Sequence, residues 1–142
     1  MRLSQQQLNH IPLLPRLLRL SFQSQNLQSQ IVADSKLDVA VIRLPHISNF
    51  TDFEPLKQIA RISVRFVASV SELVRADLII LPGSKNTLSD LRFLYENGFA
   101  EKLKQLSGHT WILGVCGGFQ MLGEAVDDPE KMEAGGQMSG LG

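Results

Sequence analysis

Short apolar stretches that run into a glycine turn and then into a helical pattern constrain the fold of this chain most strongly. LIILPG and WILGVCGG are the clearest cases, and each is followed by a segment with apolar residues at helical spacing. Strands with so few polar residues are typical of parallel sheets that helices cover on both faces. The sequence therefore predicts an α/β fold in which strands and helices alternate along the chain.

The alternating elements can be placed along most of the chain. We predict strands at residues 37–44, 63–69, 77–84 and 110–115, and helices at residues 51–61, 86–98, 99–108 and 117–126. Thr51 and Glu54 have the spacing of a capping box for the first helix. Asn86 or Thr87 caps the second helix, and Gly98 closes it. Functional sites of such sheets lie beyond the carboxyl ends of the strands, so the loops that follow the strands are where we expect one.

The two ends of the chain lack this organisation. Residues 1–36 are rich in Gln, Leu and Ser and have no acidic residue before Asp34, which indicates a linker or an irregular N-terminal segment. Residues 127–142 have four glycines in the last eight positions and are predicted to form a loop. Four strands followed by an unclosed helix are typical of part of a fold, so we expect residues 37–142 to be a truncated portion of a domain.

Composition restricts the class of protein. The 142 residues are 44% hydrophobic and 20% charged, and 14 basic residues balance 14 acidic ones. This balance gives no electrostatic argument for binding nucleic acid or an anionic membrane surface. No apolar run approaches the roughly 18 to 20 residues of a transmembrane helix. One cysteine cannot form an internal disulfide, so we expect a globular cytoplasmic protein, and we find no cluster of metal ligands.

The single cysteine has the surroundings of a nucleophile elbow. Gly114, Cys116 and Gly118 fit G-x-C-x-G, between an apolar strand and a helix, as this motif requires. Free backbone N–H groups at the start of the helix favour the thiolate, and the Gly117 N–H is placed to donate to an oxyanion. The alternative is a buried, inert thiol, which is common for unpaired cysteines.

A second loop supports the first interpretation. LPGSKNT, at residues 81–87, also leaves the carboxyl end of an apolar strand. In a parallel sheet Gly83 opens on the same edge as Cys116, and its N–H would be the second oxyanion donor. The alternative is that Pro82 and Gly83 form only a strand-to-helix turn.

Three stretches together resemble the triad glutamine amidotransferases and, more narrowly, the amidotransferase domain of the cobyric acid synthase family. They are VAVIRLPHISNFTDFEPL, ADLIILPGSKNTLSDLRFL and ILGVCGGFQMLG, in the order and spacing of that family. RLPHISNFTDFEPL and LPGSKNT are specific to this branch. The resemblance covers residues 37–142 and does not include the N-terminal segment.

The resemblance implies a flavodoxin-like, three-layer fold and a reaction. The family hydrolyses glutamine, and the ammonia passes to an ATP-dependent synthetase domain that amidates corrin carboxylates in cobalamin biosynthesis. By match to the family's motifs, Cys116 is similar to the nucleophile that forms the glutamyl thioester. Gly83 and Gly117 are similar to the oxyanion-hole positions, and Gln120 to the glutamine that lies against the substrate.

The resemblance also implies that parts of the enzyme are missing. It places the catalytic histidine beyond residue 142 and the synthetase domain upstream, so ATP and Mg²⁺ would bind there and no cofactor is expected in this domain. His10 is in the linker, and His109 precedes its strand at the edge opposite Cys116. His46 follows the first strand on the correct edge, but we expect it to make a loop hydrogen bond rather than act as the base.

Two other functions stay open at this point. One is a non-catalytic flavodoxin-like module that uses the carboxyl edge for binding or subunit contact. The other is a different cysteine α/β enzyme, such as a hydrolase or a chaperone-like protein with the same elbow. Such proteins usually have an acidic residue beside the thiol, and the nearest candidate, Glu124, is two turns along the predicted helix.

Overall fold

The computed structural model describes residues 36–142 with the exception of Ala134. The predicted linker at residues 1–36 lies, apart from Lys36, outside the described residues. The described part contains a parallel sheet and flanking helices, so the predicted α/β fold is confirmed.

Four strands form the sheet in the order β2-β1-β3-β4, and each neighbouring pair is parallel. The strands are β1 (Leu37–Ile42), β2 (Ile62–Val67), β3 (Leu78–Leu81) and β4 (Trp111–Gly114). The register aligns Val41 with Ile80 and Ile80 with Leu113 across the sheet. The carboxyl ends of β1, β3 and β4 therefore meet at one edge.

Helices and turns connect the strands. They are α1 (Glu54–Lys57), α2 (Thr87–Glu96), α3 (Phe99–Leu106) and α4 (Gly117–Met121), with 3-10 turns at Phe50–Phe53 and Val70–Arg75. Asn86 caps α2 as predicted, because its side chain accepts a hydrogen bond from the Ser89 N–H at 3.1 Å. Gly98, at a φ of 75°, separates α2 from α3.

The predicted helix over residues 51–61 is wrong in extent and in its cap. Only the 3-10 turn at Phe50–Phe53 and the single helical turn α1 form there. Asn49, two residues before Thr51, caps the turn by accepting the Thr51 N–H at 3.1 Å, so Thr51 and Glu54 form no capping box. A capping box that was not predicted forms between Ser69 and Glu72.

The two faces of the sheet are covered by different elements. One face, which we call the helix face, packs Ala40, Ile42, Ile79 and Leu81 against α2, α3 and α4. The other, which we call the opposite face, packs Val39, Val41 and Ile80 against Phe53 and Leu56 of the 3-10 turn and α1. Layers on both sides of a parallel sheet confirm the predicted three-layer arrangement.

The predicted loop at residues 127–142 is wrong, and the predicted helix at residues 117–126 is too long. Helix α4 stops at Met121, and the chain then forms an antiparallel pair, β5 (Ala125–Asp128) and β6 (Gly136–Ser139). The last residues return beside the end of α4, where the Leu141 N–H donates to the Met121 carbonyl at 2.8 Å. A methyl group on Gly140 would collide with the Gly123 carbonyl oxygen, so this close approach requires glycine.

Candidate active site

Cys116 lies in the turn between β4 and α4 with a strained backbone. Its φ of 49° and ψ of −114° fall outside the regions that residues with a side chain normally occupy. Such a conformation costs on the order of 1–3 kcal/mol and persists where the surrounding structure holds it in place. Before the cysteine, the Val115 N–H donates to the Leu81 carbonyl at 2.9 Å. After it, the Gln120 N–H donates to the Cys116 carbonyl at 3.1 Å. The side chain is exposed, as a nucleophile requires, which argues against the buried thiol.

Glycine is required on both sides of this turn. A methyl group on Gly114 would lie 2.5 Å from the Cα of Phe119, and one on Gly118 would collide with the Leu81 carbonyl oxygen. Both obstacles are backbone atoms, which cannot move aside without opening the turn. The steric reason for the G-x-C-x-G spacing therefore holds in this chain.

The glycine loop after β3 packs directly against the cysteine turn. A methyl group on Gly83 would lie 3.7 Å from the Cβ of Cys116. On Gly117 it would lie 3.1 Å from the Ser84 nitrogen and 3.1 Å from the Thr87 hydroxyl oxygen. No hydrogen bond from the Gly83 or Gly117 N–H is found within residues 36–142 apart from Ala134. These two N–H groups are the candidate donors of an oxyanion hole.

A cavity of about 330 Å³ adjoins the start of α2 and the end of α4. Gln120 from α4 lines it together with Thr87 and Leu88 from α2, and β5 and the loop after it complete the wall. The cavity is large enough for an amino acid; Cys116 is not in its wall, and Gln120, four residues after Cys116, is the residue of the cysteine helix that lines it. It is therefore the candidate substrate pocket.

The loop after β5 is held over the start of α2. Glu133 accepts hydrogen bonds from the Thr87 N–H and, at 3.1 Å, from the Thr87 hydroxyl. The Asp128 carboxylate organises the loop by accepting the N–H groups of Glu133, Gly135 and Met132 at 2.9, 2.8 and 2.8 Å. These bonds, led by the one from Glu133, lower the pKa of Asp128 below its ordinary value despite some desolvation. Neither acid was predicted from the sequence, because nothing in their local pattern marks them.

His46 makes the loop hydrogen bond that we expected. Its Nδ1 lies 2.8 Å from an oxygen of Asp90, and the Ser84 hydroxyl donates to the same carboxylate at 2.6 Å. His109 follows α3 and precedes β4, so it lies at the edge of the sheet opposite Cys116. His10 lies outside the described residues. Asp90 was not singled out from the sequence, because 44 residues separate it from His46.

Within residues 36–142 apart from Ala134, no three His, Cys, Asp or Glu side chains cluster closely enough to hold a metal ion. In the same part of the chain, none of the helices has the length and apolar character needed to cross a membrane.

Comparison with known proteins identifies the family. Residues 38–142 match the profile of the CobB/CobQ-like glutamine amidotransferase domain. A cobyric acid synthase of Lachnoclostridium phytofermentans is 55% identical over 107 residues, which are 75% of this chain and 21% of that protein. A cobyric acid synthase of Desulfitobacterium hafniense is 52% identical over 111 residues, or 77% of this chain and 22% of that protein.

The matched region is therefore only about a fifth of the length of these curated relatives. The family profile, in contrast, covers residues 38–142, which is more than half of this chain. Together with the parallel sheet and the cysteine turn at its carboxyl edge, the match shows that this chain belongs to the family of CobB/CobQ-like glutamine amidotransferase domains.

Proposed function

We propose that this chain is the glutaminase portion of a cobyric acid synthase-like enzyme and that Cys116 is its nucleophile. The observation that carries the proposal is the conformation of Cys116. Its exposed side chain stands on a turn with a φ of 49°, and the glycine loop lies against that turn. A structural cysteine needs neither the strained backbone nor the neighbouring N–H groups.

The proposed reaction has two stages. The Cys116 thiolate attacks the side-chain carboxamide carbon of glutamine, and the carbonyl oxygen becomes an oxyanion that accepts hydrogen bonds from the Gly83 and Gly117 N–H groups. The C–N bond then breaks, the nitrogen takes up a proton and leaves as ammonia, and a γ-glutamyl thioester remains on Cys116. Water attacks the thioester, its proton goes to a base, and the thiolate and glutamate are released. Gln120 contacts the substrate in the cavity.

In our proposal, neither His46 nor His109 is the general acid–base group of this reaction. His46 is engaged by the Asp90 carboxylate, and His109 is at the far edge of the sheet. General acid–base catalysis contributes about a hundredfold to ten-thousandfold to such reactions. We therefore expect the 142-residue chain to show very slow glutamine turnover while it retains the thiol and the oxyanion donors.

The ammonia needs an acceptor and an activating enzyme. We propose that it passes to an ATP-dependent synthetase domain or subunit that amidates corrin carboxylates. The support is that the matched relatives are cobyric acid synthases and are about five times longer than the matched region. ATP and Mg²⁺ belong to the synthetase in this proposal, and the glutaminase portion uses no cofactor.

The test measures labelling of Cys116 by a chloroketone analogue of L-glutamine, with mass spectrometry to locate the adduct. We expect the analogue to react at least about tenfold faster than a chloroketone without the α-amino and α-carboxyl groups, because the pocket binds those groups. L-glutamine should protect against labelling and D-glutamine should not. Ammonia release should stay near the background rate in the wild type and in His46→Ala.

Three results would contradict the proposal. Labelling that persists in Cys116→Ala would exclude Cys116 as the nucleophile. Equal rates for the two chloroketones, without protection by L-glutamine, would exclude a glutamine site and favour the non-catalytic module. Rapid ammonia release that disappears in His46→Ala would make His46 the base.

A further inference from the structure

We propose that Asp90 is a positioning residue of the oxyanion hole: its buried carboxylate ties the loop after β1 to the glycine loop after β3 and so fixes Gly83 against Cys116. The inference rests on the proposed function, since it concerns the same site. It assigns a role to a buried acid that makes no contact with the thiol.

The contacts of Asp90 show what it holds. The residue lies in the first turn of α2 and is fully buried. Its carboxylate lies 2.8 Å from His46 Nδ1, accepts the His46 N–H at 3.2 Å and accepts the Ser84 hydroxyl at 2.6 Å. A buried carboxylate is stable only when such bonds compensate for the loss of water. One side chain thus connects two loops that leave different strands.

Backbone hydrogen bonds carry this connection to Gly83. The Ser48 N–H donates to the Gly83 carbonyl at 2.8 Å, and the Lys85 N–H donates to the His46 carbonyl at 2.8 Å. These bonds form a short antiparallel bridge centred on Ile47 and Ser84. Asp90 is hydrogen-bonded to His46 and Ser84, and the same two residues belong to the bridge that orients the peptide groups around Gly83.

Gly83 belongs to this bridge through its carbonyl, and its Cα lies between Ser48 and Cys116. A methyl group on Gly83 would lie 3.4 Å from the Ser48 hydroxyl oxygen on one side and 3.7 Å from the Cβ of Cys116 on the other. Oxyanion donors act at distances of about 2.7–3.1 Å, and small displacements greatly reduce their effect. A change in the bridge therefore alters the oxyanion hole without touching the thiol.

Asp90→Asn is the informative substitution because it preserves the size of the side chain. It replaces one carboxylate oxygen, which accepts hydrogen bonds, with an amide nitrogen, which only donates them. The amide nitrogen of asparagine would face either the backbone N–H of His46 or the hydroxyl of Ser84, both of which donate to Asp90 in the native structure. Ser84→Ala is the milder variant: it removes the hydroxyl that donates to Asp90 and accepts the Asn86 N–H at 2.9 Å, and it leaves the carboxylate with His46. Asp77→Asn is the matched control: Asp77 accepts the Asp38 N–H at 2.9 Å at the other edge of the sheet.

The readout compares two reagents on the 142-residue chain. The glutamine chloroketone depends on the oxyanion hole, whereas iodoacetamide alkylates the thiol by direct displacement and does not. We expect Asp90→Asn to slow the chloroketone about tenfold to a hundredfold, and Ser84→Ala to slow it about twofold to tenfold. Iodoacetamide rates should stay within about twofold in both variants and in Asp77→Asn, since the cysteine turn is intact.

Amide hydrogen exchange provides a second measurement that does not depend on chemistry at the thiol. The Ser48 and Lys85 amides should exchange faster in Asp90→Asn and Ser84→Ala than in the wild type, and amides of β1 and β3 should not change. A loss of protection throughout the chain would show that Asp90→Asn misfolds. The test of the positioning role then rests on Ser84→Ala.

The outcomes separate this inference from the proposed function. If the wild type shows glutamine-dependent labelling and both Asp90→Asn and Ser84→Ala keep its chloroketone-to-iodoacetamide ratio, Asp90 has no positioning role and the function stands. An equal fall in both rates is also against positioning, because it indicates a general structural role. If the wild type itself shows no glutamine-dependent labelling, the proposed function fails and the inference fails with it.

Discussion

The two faces of the sheet differ in how completely they are covered, although the strands are apolar on both. On the helix face, α2 and α3 bury strand residues such as Ile42, Ile79 and Leu81 to 0% exposure. On the opposite face, the central residues Val41 and Ile80 are buried, but none of the described residues, 36–142 without Ala134, covers β4.

The uncovered part is a row of apolar side chains that we call the β4 strip: Trp111, Leu113 and Val115. They are 68%, 49% and 36% exposed; Trp111 and Leu113 share a face because alternate residues of a strand point the same way, and Val115 directly follows the end of β4. β4 is also an outer strand of the described sheet, so within residues 36–142 no further strand pairs with its free edge. An apolar sequence therefore does not show by itself whether a strand is covered.

The largest difference between the faces should appear in stability. Leu91, in α2, is fully buried on the helix face, and Leu91→Ala should lower the free energy of unfolding by about 2–5 kcal/mol through lost burial and a cavity. Leu113→Ala, in the β4 strip, should change it by no more than about 0.5 kcal/mol. Urea denaturation at low protein concentration measures both.

Equal losses for the two variants would contradict the comparison. They would show that the β4 strip is buried in solution by an element or a second molecule that covers this face. A small loss for Leu91→Ala alone would show instead that the helix face is loosely packed.

The next largest effect should be on association. Exposed apolar patches and free strand edges promote pairing with other chains. We expect the chain to self-associate through the β4 strip and Leu113→Lys to shift it toward monomer, as measured by sedimentation velocity. Val74→Lys is the matched control, because Val74 is 62% exposed but lies in the 3-10 turn before β3. Association that is weakened by Val74→Lys and not by Leu113→Lys would locate the contact elsewhere.

The fold was largely predictable because its strands are short apolar runs that end at glycine turns. The hairpin of β5 and β6 was not, since AVDD and GQMS have few apolar residues. Val126 and Met138 pack it against the core, and contacts to backbone groups add to this, including the Gly140 N–H to the Glu124 carbonyl at 2.8 Å and the Tyr95 hydroxyl to the Gly140 carbonyl at 2.6 Å. Two apolar side chains and contacts to backbone groups leave little trace in the pattern of a sequence.

The candidate site divides in the same way. The proximity of Cys116 and Gly83 follows from the parallel sheet, because both residues leave carboxyl ends of adjacent strands. The contacts of Asp90 and Glu133 do not follow from any local rule. They join residues 44 and 46 positions apart, and only the folded chain brings those pairs together.

The smallest expected effect is a dependence of loop stability on pH. It concerns the loop after β5, which contacts α2 on the helix face, and not the β4 strip. The loop after β5 rests on α2 and is organised by Asp128, whose pKa is lowered by the N–H groups that it accepts. A lowered pKa in the folded state means that the ionised carboxylate stabilises the loop. That contribution is present above the ordinary carboxyl value of about 3.9 and is lost as the pH falls through the lowered value. The β4 strip has no ionisable side chain and should not respond.

A pH titration by two-dimensional NMR tests this contrast, with the Gly135 amide as the reporter because it donates to Asp128 at 2.8 Å. Its signal should stay constant from neutral pH to about pH 4 and move below that. In Asp128→Asn the movement should disappear, and the amide should exchange faster already at neutral pH, because an amide oxygen is a weaker acceptor than a carboxylate. The amides of Trp111 and Leu113 should not move in either protein. If the Gly135 signal moved above pH 5, or moved identically in Asp128→Asn, another group would control the loop.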